Sequence, residues 1–154
     1  MKTNWPSKLI FKFTSDEKLV SDLLVHFVLL SRLKNNFTIG SFTTNQDGEI
    51  KLTHEIMQET IEKAKSDYPM DYSGTLDDCI GVEVIVETMS ELRSRINKGK
   101  EFYPNKADKL KELTQKCSNE KYKGEHIIYK QPIDFEFVKV TLTGIGGDGR
   151  NRDN

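Results

Sequence analysis

The stretch Gly40-Ser-Phe-Thr-Thr-Asn-Gln-Asp-Gly-Glu-Ile-Lys-Leu-Thr53 decides the fold class of this chain. Its centre holds residues that accept the positive φ angles of a tight reversal, namely Asn45, Asp47 and Gly48. On either side, apolar residues such as Phe42 and Ile50 alternate with polar ones, as they do in half-buried strands. The pattern predicts a β-hairpin with arms at about residues 37–43 and 49–52, followed at once by an amphipathic helix.

The remaining segments predict a mixture of strands and helices. Alternating apolar residues indicate strands at about residues 9–14 and 82–86, and two closing strands are expected at about 125–129 and 134–143. The continuous apolar run at residues 23–30 predicts a central strand covered on both faces, and a buried helical segment is the alternative. Thr53 is a good N-cap for the first helix, which we expect to end at Tyr68-Pro69. A capping box at Thr88 to Glu91 starts a second helix through about residue 97, and a third begins near residue 105. The prediction is an α+β fold, a mainly antiparallel sheet or sandwich with about three peripheral helices.

The turn segment Thr44-Asn-Gln-Asp-Gly-Glu-Ile50 is similar to a family motif. It resembles the T-D-x-x-G hairpin, preceded by an apolar strand, of prealbumin-like β-sandwich domains, the group of transthyretin and the carboxypeptidase regulatory-type domains. The resemblance covers roughly residues 8–53 and the closing strand that ends at Leu142. Asn45 stands where the family has aspartate, and three helices exceed the usual number. The resemblance implies a β-sandwich, and a more mixed α+β sheet is the alternative.

Length and composition bound the domain organisation. We expect a single globular domain over residues 1–143 and a flexible, glycine-rich polar tail over residues 144–154. The two cysteines, Cys79 and Cys117, are too few for a disulfide framework and lack metal-ligand spacing. The first residues have no secretory signal pattern, so we expect a soluble, cytoplasmic protein without a membrane partner. No metal-binding or phosphate-binding motif is present, so we also expect neither a cofactor nor a bound metal.

Charge is distributed unevenly along the chain. The net charge is −1, but residues 45–91 carry twelve acidic and three basic side chains, a net charge of −9. Such a segment favours a basic protein partner or an internal match to the lysine-rich segment. The predicted partner-binding residues lie here: Glu55, Glu59, Glu62, Asp67, Tyr68, Asp71, Tyr72, Asp77 and Asp78. A solvated helix face, and aromatic residues packed at a sheet edge, are the alternatives.

These features favour a non-catalytic intracellular protein-binding module with an acidic contact face. Its most specific version is an immunity-type inhibitor of a basic toxin, because an acidic face would steer a fast encounter with a basic enzyme. An accessory sandwich module of a larger assembly is a second possibility. We expect no catalytic residues, although a small hydrolase could use Asp77, Asp78 and Cys79 with a histidine.

Two further motifs resemble binding sites but have simpler interpretations. The turn at residues 45–49 is too weak for a calcium loop, because Thr43 and His54 occupy the positions that require Asp and Glu. Eight lysines over residues 98–123, with aromatic residues between them, could bind nucleic acid. Glu101, Asp108 and other acidic residues dilute this segment, so we expect no nucleic-acid partner. The chain does not define an oligomeric state.

Overall fold

The chain folds into two β-sheets and three α-helices in the computed structural model, which describes residues 5–15, 18–119, 126–131 and 138–143. The strands are β1 (Lys8–Ser15), β2 (Lys18–Leu19), β3 (Leu24–Ser31), β4 (Phe37–Thr43), β5 (Glu49–Thr53), β6 (Cys79–Glu87), β7 (His126–Gln131) and β8 (Val138–Thr143). The helices are α1 (His54–Asp67), α2 (Met89–Phe102) and α3 (Pro104–Lys116). The predicted α+β class with about three helices is confirmed.

Each sheet is organised around one central strand or strand pair. In the first sheet, β1 pairs antiparallel with β2, β5 and β7. In the second sheet the strand order is β4-β3-β6-β8, and all neighbours are antiparallel except β6 and β8, which are parallel. The sheets are therefore mainly antiparallel, as the alternating segments predicted.

The predicted β-hairpin at residues 40–53 is wrong in its pairing. Strand β4 pairs with β3 in the second sheet, whereas β5 pairs with β1 in the first, so the turn carries the chain from one sheet to the other. Buried Thr44 explains the crossing, because its Oγ1 accepts a hydrogen bond from Leu23 N (3.0 Å) and donates one to Val20 O (2.6 Å). These contacts attach the start of the turn to the segment before β3. They therefore keep β4 in the second sheet, apart from β5.

The predicted turn chemistry is confirmed in part, because only Gly48, and neither Asn45 nor Asp47, adopts a positive φ. Asn45 Oδ1 accepts hydrogen bonds from the backbone N–H groups of Asp47 (2.8 Å) and Glu49 (3.0 Å). Gly48 has φ of 71° and donates its N–H to Asn45 O. Its own carbonyl accepts from Phe13 N at 2.8 Å. Turn residues therefore reverse the chain, while hydrogen bonds to other segments select which strands the two arms join.

One apolar core lies between the inner faces of the two sheets. The phenyl rings of Phe11 in β1 and Phe27 in β3 are 5.2 Å apart at their centroids, across the sheet interface. Nine further buried residues of this core occupy alternate positions along their strands: Leu9, Phe13, Val25, Leu29, Ile50, Leu52, Val82, Val84 and Val86. The apolar residues that alternate in the sequence therefore form the inward face of each sheet. This packing does not by itself confirm a prealbumin-like sandwich.

Helix α1 covers the edge of this core. Thr53 Oγ1 accepts from Ile56 N at 3.1 Å and caps the helix, as predicted. Met57 and Ile61 are buried in the core cluster, so the stripe at helical spacing faces inward. The opposite side of α1 carries glutamates exposed to solvent.

Helices α2 and α3 form a tight pair. Thr88 Oγ1 caps α2 by accepting from Glu91 N, but the helix runs to Phe102 instead of ending near residue 97. Gly99, a residue type that often follows the end of a helix, lies inside α2. A Cβ at Gly99 would stand 3.4 Å from the Cβ of Ala107, so the small residue serves close helix packing instead of termination.

The predicted tail at residues 144–154 lies outside the described residues. Among the residues that are described, none of the helices has the length and apolar character that a membrane span requires.

Gly48 provides a test of the turn. A Cβ there would lie 2.9 Å from Phe13 O, and the positive φ strains any other residue, so Gly48→Ala should lower the free energy of unfolding by about 1–3 kcal/mol. The exposed neighbour Gln46 provides the control, because Gln46→Ala should change the free energy of unfolding by less than about 0.5 kcal/mol. Urea denaturation of both variants measures the difference. Equal stability of Gly48→Ala and the wild type would contradict the described turn.

Candidate functional site

Six exposed carboxylates lie on α1 and on the segment that follows it. We call this set the acidic surface: Glu55, Glu59, Glu62, Asp67, Asp71 and Asp77. Of these, Glu62 lies 3.3 Å from Lys65 Nζ. The structure therefore places these six of the nine predicted partner-binding residues at the protein surface, on one helix and the segment that leads away from it.

The loop after α1 is held in place by hydrogen bonds to two other segments. Lys65 Nζ donates to Gly74 O at 2.9 Å, which brings the end of the loop back onto the helix. Asn35 Nδ2, in the connection between β3 and β4, donates to Asp71 O at 2.6 Å. Because its middle and its end are held in this way, the backbone of the loop has a defined position.

Exposed apolar side chains lie within this acidic loop. Tyr68 is 59% exposed and Met70 is 89% exposed. Leu33, from the neighbouring connection, is also exposed, and its Cδ1 approaches the position that a Cβ on Gly74 would take. Exposed apolar side chains surrounded by charged ones are typical of protein-binding surfaces.

Tyr72 has a different place from Tyr68. It is half-buried, packs against the core cluster, and its ring centroid lies 5.4 Å from that of Phe37. The sequence left open whether these loop aromatics bind a partner or pack at a sheet edge. The structure divides them, because Tyr72 packs and Tyr68 is exposed.

Asp78 is engaged locally. Its carboxylate accepts a hydrogen bond from Thr75 N at 2.9 Å and pairs with Arg32 at 2.8 Å. The hydrogen bond from the Thr75 backbone, followed by the Arg32 guanidinium, lowers the pKa of Asp78 below its ordinary value. Asp78 therefore stabilises the turn before β6 and joins it to the end of β3.

Cys79 does not have the properties of a nucleophile. Burial, followed by the nearby charge of Asp78, raises the pKa of its thiol to about 11, so the thiol is protonated at neutral pH. Cys79 pairs with Ser31, five residues from His26 along β3, which is a separation of about 17 Å. His54 begins α1 and has no hydrogen bond to Cys79 among the described residues. The His126 side chain lies outside the part of the chain whose side chains are described.

A buried polar network that no sequence pattern predicted lies on the outer face of the second sheet. His26 Nδ1 is 2.5 Å from Ser41 Oγ on β4, and His26 Nε2 is 2.7 Å from Glu87 Oε1 on β6. Arg95 of α2 donates to both oxygens of Glu87, at 3.1 and 2.7 Å. A histidine in an apolar strand was the available signal, but its two partners come from β4 and β6, and the network then continues through Glu87 to α2.

The order serine, histidine, carboxylate is that of a nucleophile, a base and an orienting acid. However, the His26 Nε2 contact with Glu87 is short without being aligned as a hydrogen bond. The carboxylate is also neutralised by the bidentate Arg95. Burial raises the pKa of Glu87, but the close contact with His26 and the hydrogen bonds from Arg95 outweigh this effect and lower the pKa to about 2. We interpret the network as a cross-link between β3, β4, β6 and α2.

Asn119 adds a second link to the same region. Its Nδ2 donates to Glu87 O at 2.8 Å and to Leu24 O at 2.9 Å, and its Oδ1 accepts from Leu24 N at 2.7 Å. The segment after α3 is therefore bound to β3 and to the end of β6. Together with Arg95, it holds the pair of helices against the second sheet.

Comparisons with known proteins found no matching family model, and no similar curated protein or solved structure. Within the described residues, no group of three or more histidine, cysteine, aspartate or glutamate side chains could hold a metal ion. The functional proposal therefore depends on the geometry of the surface itself.

Glu87 makes a testable contribution to stability. A lowered pKa means that the stabilisation is complete above the ordinary value of 4.5 and is lost as the pH falls toward 2. Glu87→Gln should lower the free energy of unfolding at pH 7 by about 1–3 kcal/mol and flatten its decline between pH 4.5 and 2. Denaturation at several pH values measures both effects.

The matched control is Glu101→Gln, an exposed carboxylate on α2 with no ion pair among the described residues. It should leave stability within about 0.5 kcal/mol of the wild type. If Glu87→Gln behaves as this control does at every pH, the cross-link is not stabilising.

Proposed function

We propose that this protein is a non-catalytic binding module whose acidic surface contacts a basic protein. One observation carries the proposal: two exposed apolar side chains, Tyr68 and Met70, lie between the exposed carboxylates of Asp67 and Asp71, in the loop that follows the glutamate-bearing helix α1. An apolar centre with a charged rim is the usual anatomy of a protein interface. The loop is already held by Lys65 and Asn35, so binding would cost little ordering entropy.

The charge of the surface determines the chemistry of its partner. Carboxylates on one side of a molecule attract a basic surface over a distance of about 10 Å at moderate ionic strength. Such attraction raises association rates, and the apolar centre then slows dissociation. A partner rich in lysine and arginine, with an apolar recess for Met70, fits this description.

The most specific form of the proposal is an immunity-type inhibitor that captures a basic toxin inside the cell. An acidic surface supports this form because rapid capture of a basic enzyme depends on electrostatic steering. Relatedness to prealbumin-like sandwiches, and a role as an accessory module in a larger assembly, stay predictions. Neither is needed for the binding surface to work.

The alternative proposal was a small hydrolase using Asp77, Asp78 and Cys79. Two observations favour binding over this chemistry. Asp78 is occupied by Arg32 and the Thr75 backbone, and the thiol of Cys79 is buried with a raised pKa. A nucleophile needs an accessible thiolate and a nearby base.

Charge reversal tests the electrostatic part of the proposal. The variant Glu55→Lys/Glu59→Lys/Asp67→Lys changes exposed residues that form no ion pair among the described ones. After affinity capture and identification of the partner, its association rate with this variant should fall at least tenfold. The wild-type rate should decrease with ionic strength.

The control Glu101→Lys/Asp108→Lys/Glu112→Lys makes the same change of charge on α2 and α3 and should bind as the wild type does. Equal rates for both variants would refute the acidic surface.

Truncation of the apolar centre tests the second part. Tyr68→Ala/Met70→Ala should leave unfolding stability nearly unchanged, because both side chains are mostly exposed, but should raise the dissociation rate of the partner about tenfold or more. Phe102→Ala, an equally exposed aromatic on α2, is the control and should not affect dissociation. Surface plasmon resonance measures the rates. Unchanged dissociation from the Tyr68/Met70 variant would remove these side chains from the interface.

A further inference from the structure

A groove of about 390 Å³ runs between α2 and α3, away from the acidic surface. Three basic side chains, Arg93, Lys100 and Lys111, line it. Met89 and Ile96 provide an apolar part, and Asn97, Thr114 and Gln115 add polar groups. No carboxylate is among these lining residues. We call this feature the helix-pair groove.

The helix pair is close at two points along its length. Near the connection at Tyr103, Gly99 and Ala107 approach so closely that a Cβ on Gly99 would be in contact. Farther from the connection, Cys117 Sγ lies 3.4 Å from Met89 Sδ. Contacts at both positions hold the two walls of the groove at a fixed separation, so the basic side chains extend from a preformed frame.

The three cations of the groove have no ionic partner among the described residues. Elsewhere on the molecule, Arg95 pairs with Glu87, and Arg32 pairs with Asp78.

Helical spacing explains the absence of partners in the groove. Side chains interact along a helix at spacings of three and four residues, and neither Arg93 nor Lys100 has a carboxylate at these spacings. Lys111 has one such neighbour, Asp108. The groove is therefore a local positive site on a helix pair that itself carries eight basic and four acidic side chains, a net charge of +4.

The spacing of the cations indicates the shape of the ligand. Arg93 and Lys100 are two turns apart on α2, about 10.5 Å along the helix axis. A single phosphate is too small to contact both, whereas a phosphate chain or a phosphate joined to a sugar can extend between them. Arginine and lysine are the side chains that bind phosphate oxygens most often.

The remaining lining residues indicate what is attached to the phosphates. Met89 and Ile96 offer apolar contact for a flat ring, and Asn97 and Gln115 can donate and accept hydrogen bonds at a ring edge. The volume lies within the range of small-molecule sites. We propose that the helix-pair groove binds a nucleoside diphosphate or triphosphate, with Arg93, Lys100 and Lys111 on the phosphates.

Isothermal titration with ATP, GTP and inorganic triphosphate tests the inference on the full chain. The nucleotides should bind, and inorganic triphosphate should bind at least threefold more weakly because it lacks the ring. In Arg93→Gln/Lys100→Gln, nucleotide affinity should fall at least tenfold. Both side chains are exposed, so the variant should fold, and its melting temperature verifies this.

The matched control is Lys98→Gln/Lys109→Gln, which removes the same charge from α2 and α3 outside the groove. It should keep nucleotide affinity within twofold of the wild type. Nucleotide binding that is absent, that survives loss of Arg93 and Lys100, or that is matched by inorganic triphosphate would overturn the inference. So would tighter binding of a single-stranded oligonucleotide. None of these results bears on the acidic surface, whose test uses a protein partner.

Discussion

The contact between the two sheets, centred on Phe11 and Phe27, is the interaction that organises this protein. Each sheet has alternating apolar residues, and neither could bury that face alone. Each Å² of apolar surface removed from water contributes roughly 25 cal/mol to the free energy of folding, so this shared core is the main source of stability. Strand β4 belongs to one sheet and β5 to the other, so the turn at residues 44–48 must cross between them. Thr44 and Gly48 make that crossing possible through hydrogen bonds to segments distant in sequence.

The same core positions the surfaces proposed to act. Helix α1 buries Met57 and Ile61 in the core cluster, which turns its glutamates outward and attaches the acidic surface to the core. The helix pair of α2 and α3 is held to the second sheet by different means, the buried Glu87 with Arg95 and His26, and the backbone contacts of Asn119. Acidic and basic surfaces consequently lie on separate helical elements. The proposed protein partner and the proposed anionic ligand would therefore be recognised by different elements of the fold.

Local patterns predicted those features whose physical causes are local. The cap at Thr53, the inward stripe of α1 and the Asn45 turn follow from hydrogen bonds and periodicities within a few residues. The predicted partner of β4 and the predicted end of α2 were wrong, because contacts with residues distant in sequence determine both features. Glycine often marks the end of a helix, but Gly99 lies within α2 and allows close packing against Ala107 of α3. The acidic residues of the candidate site were visible as a charge excess, but the sequence could not separate exposed Tyr68 from packed Tyr72.

The sequence by itself determined the α+β class, most element positions, the acidic segment and the chemistry of the turn. Each of these depends on propensity, periodicity or charge, which are properties of neighbouring residues. Only the tertiary structure decided which strands pair across the turn, that His26 meets Ser41 and Glu87, and that Arg93, Lys100 and Lys111 line one groove. These outcomes depend on where the shared core brings distant segments together, and no local pattern records those distances.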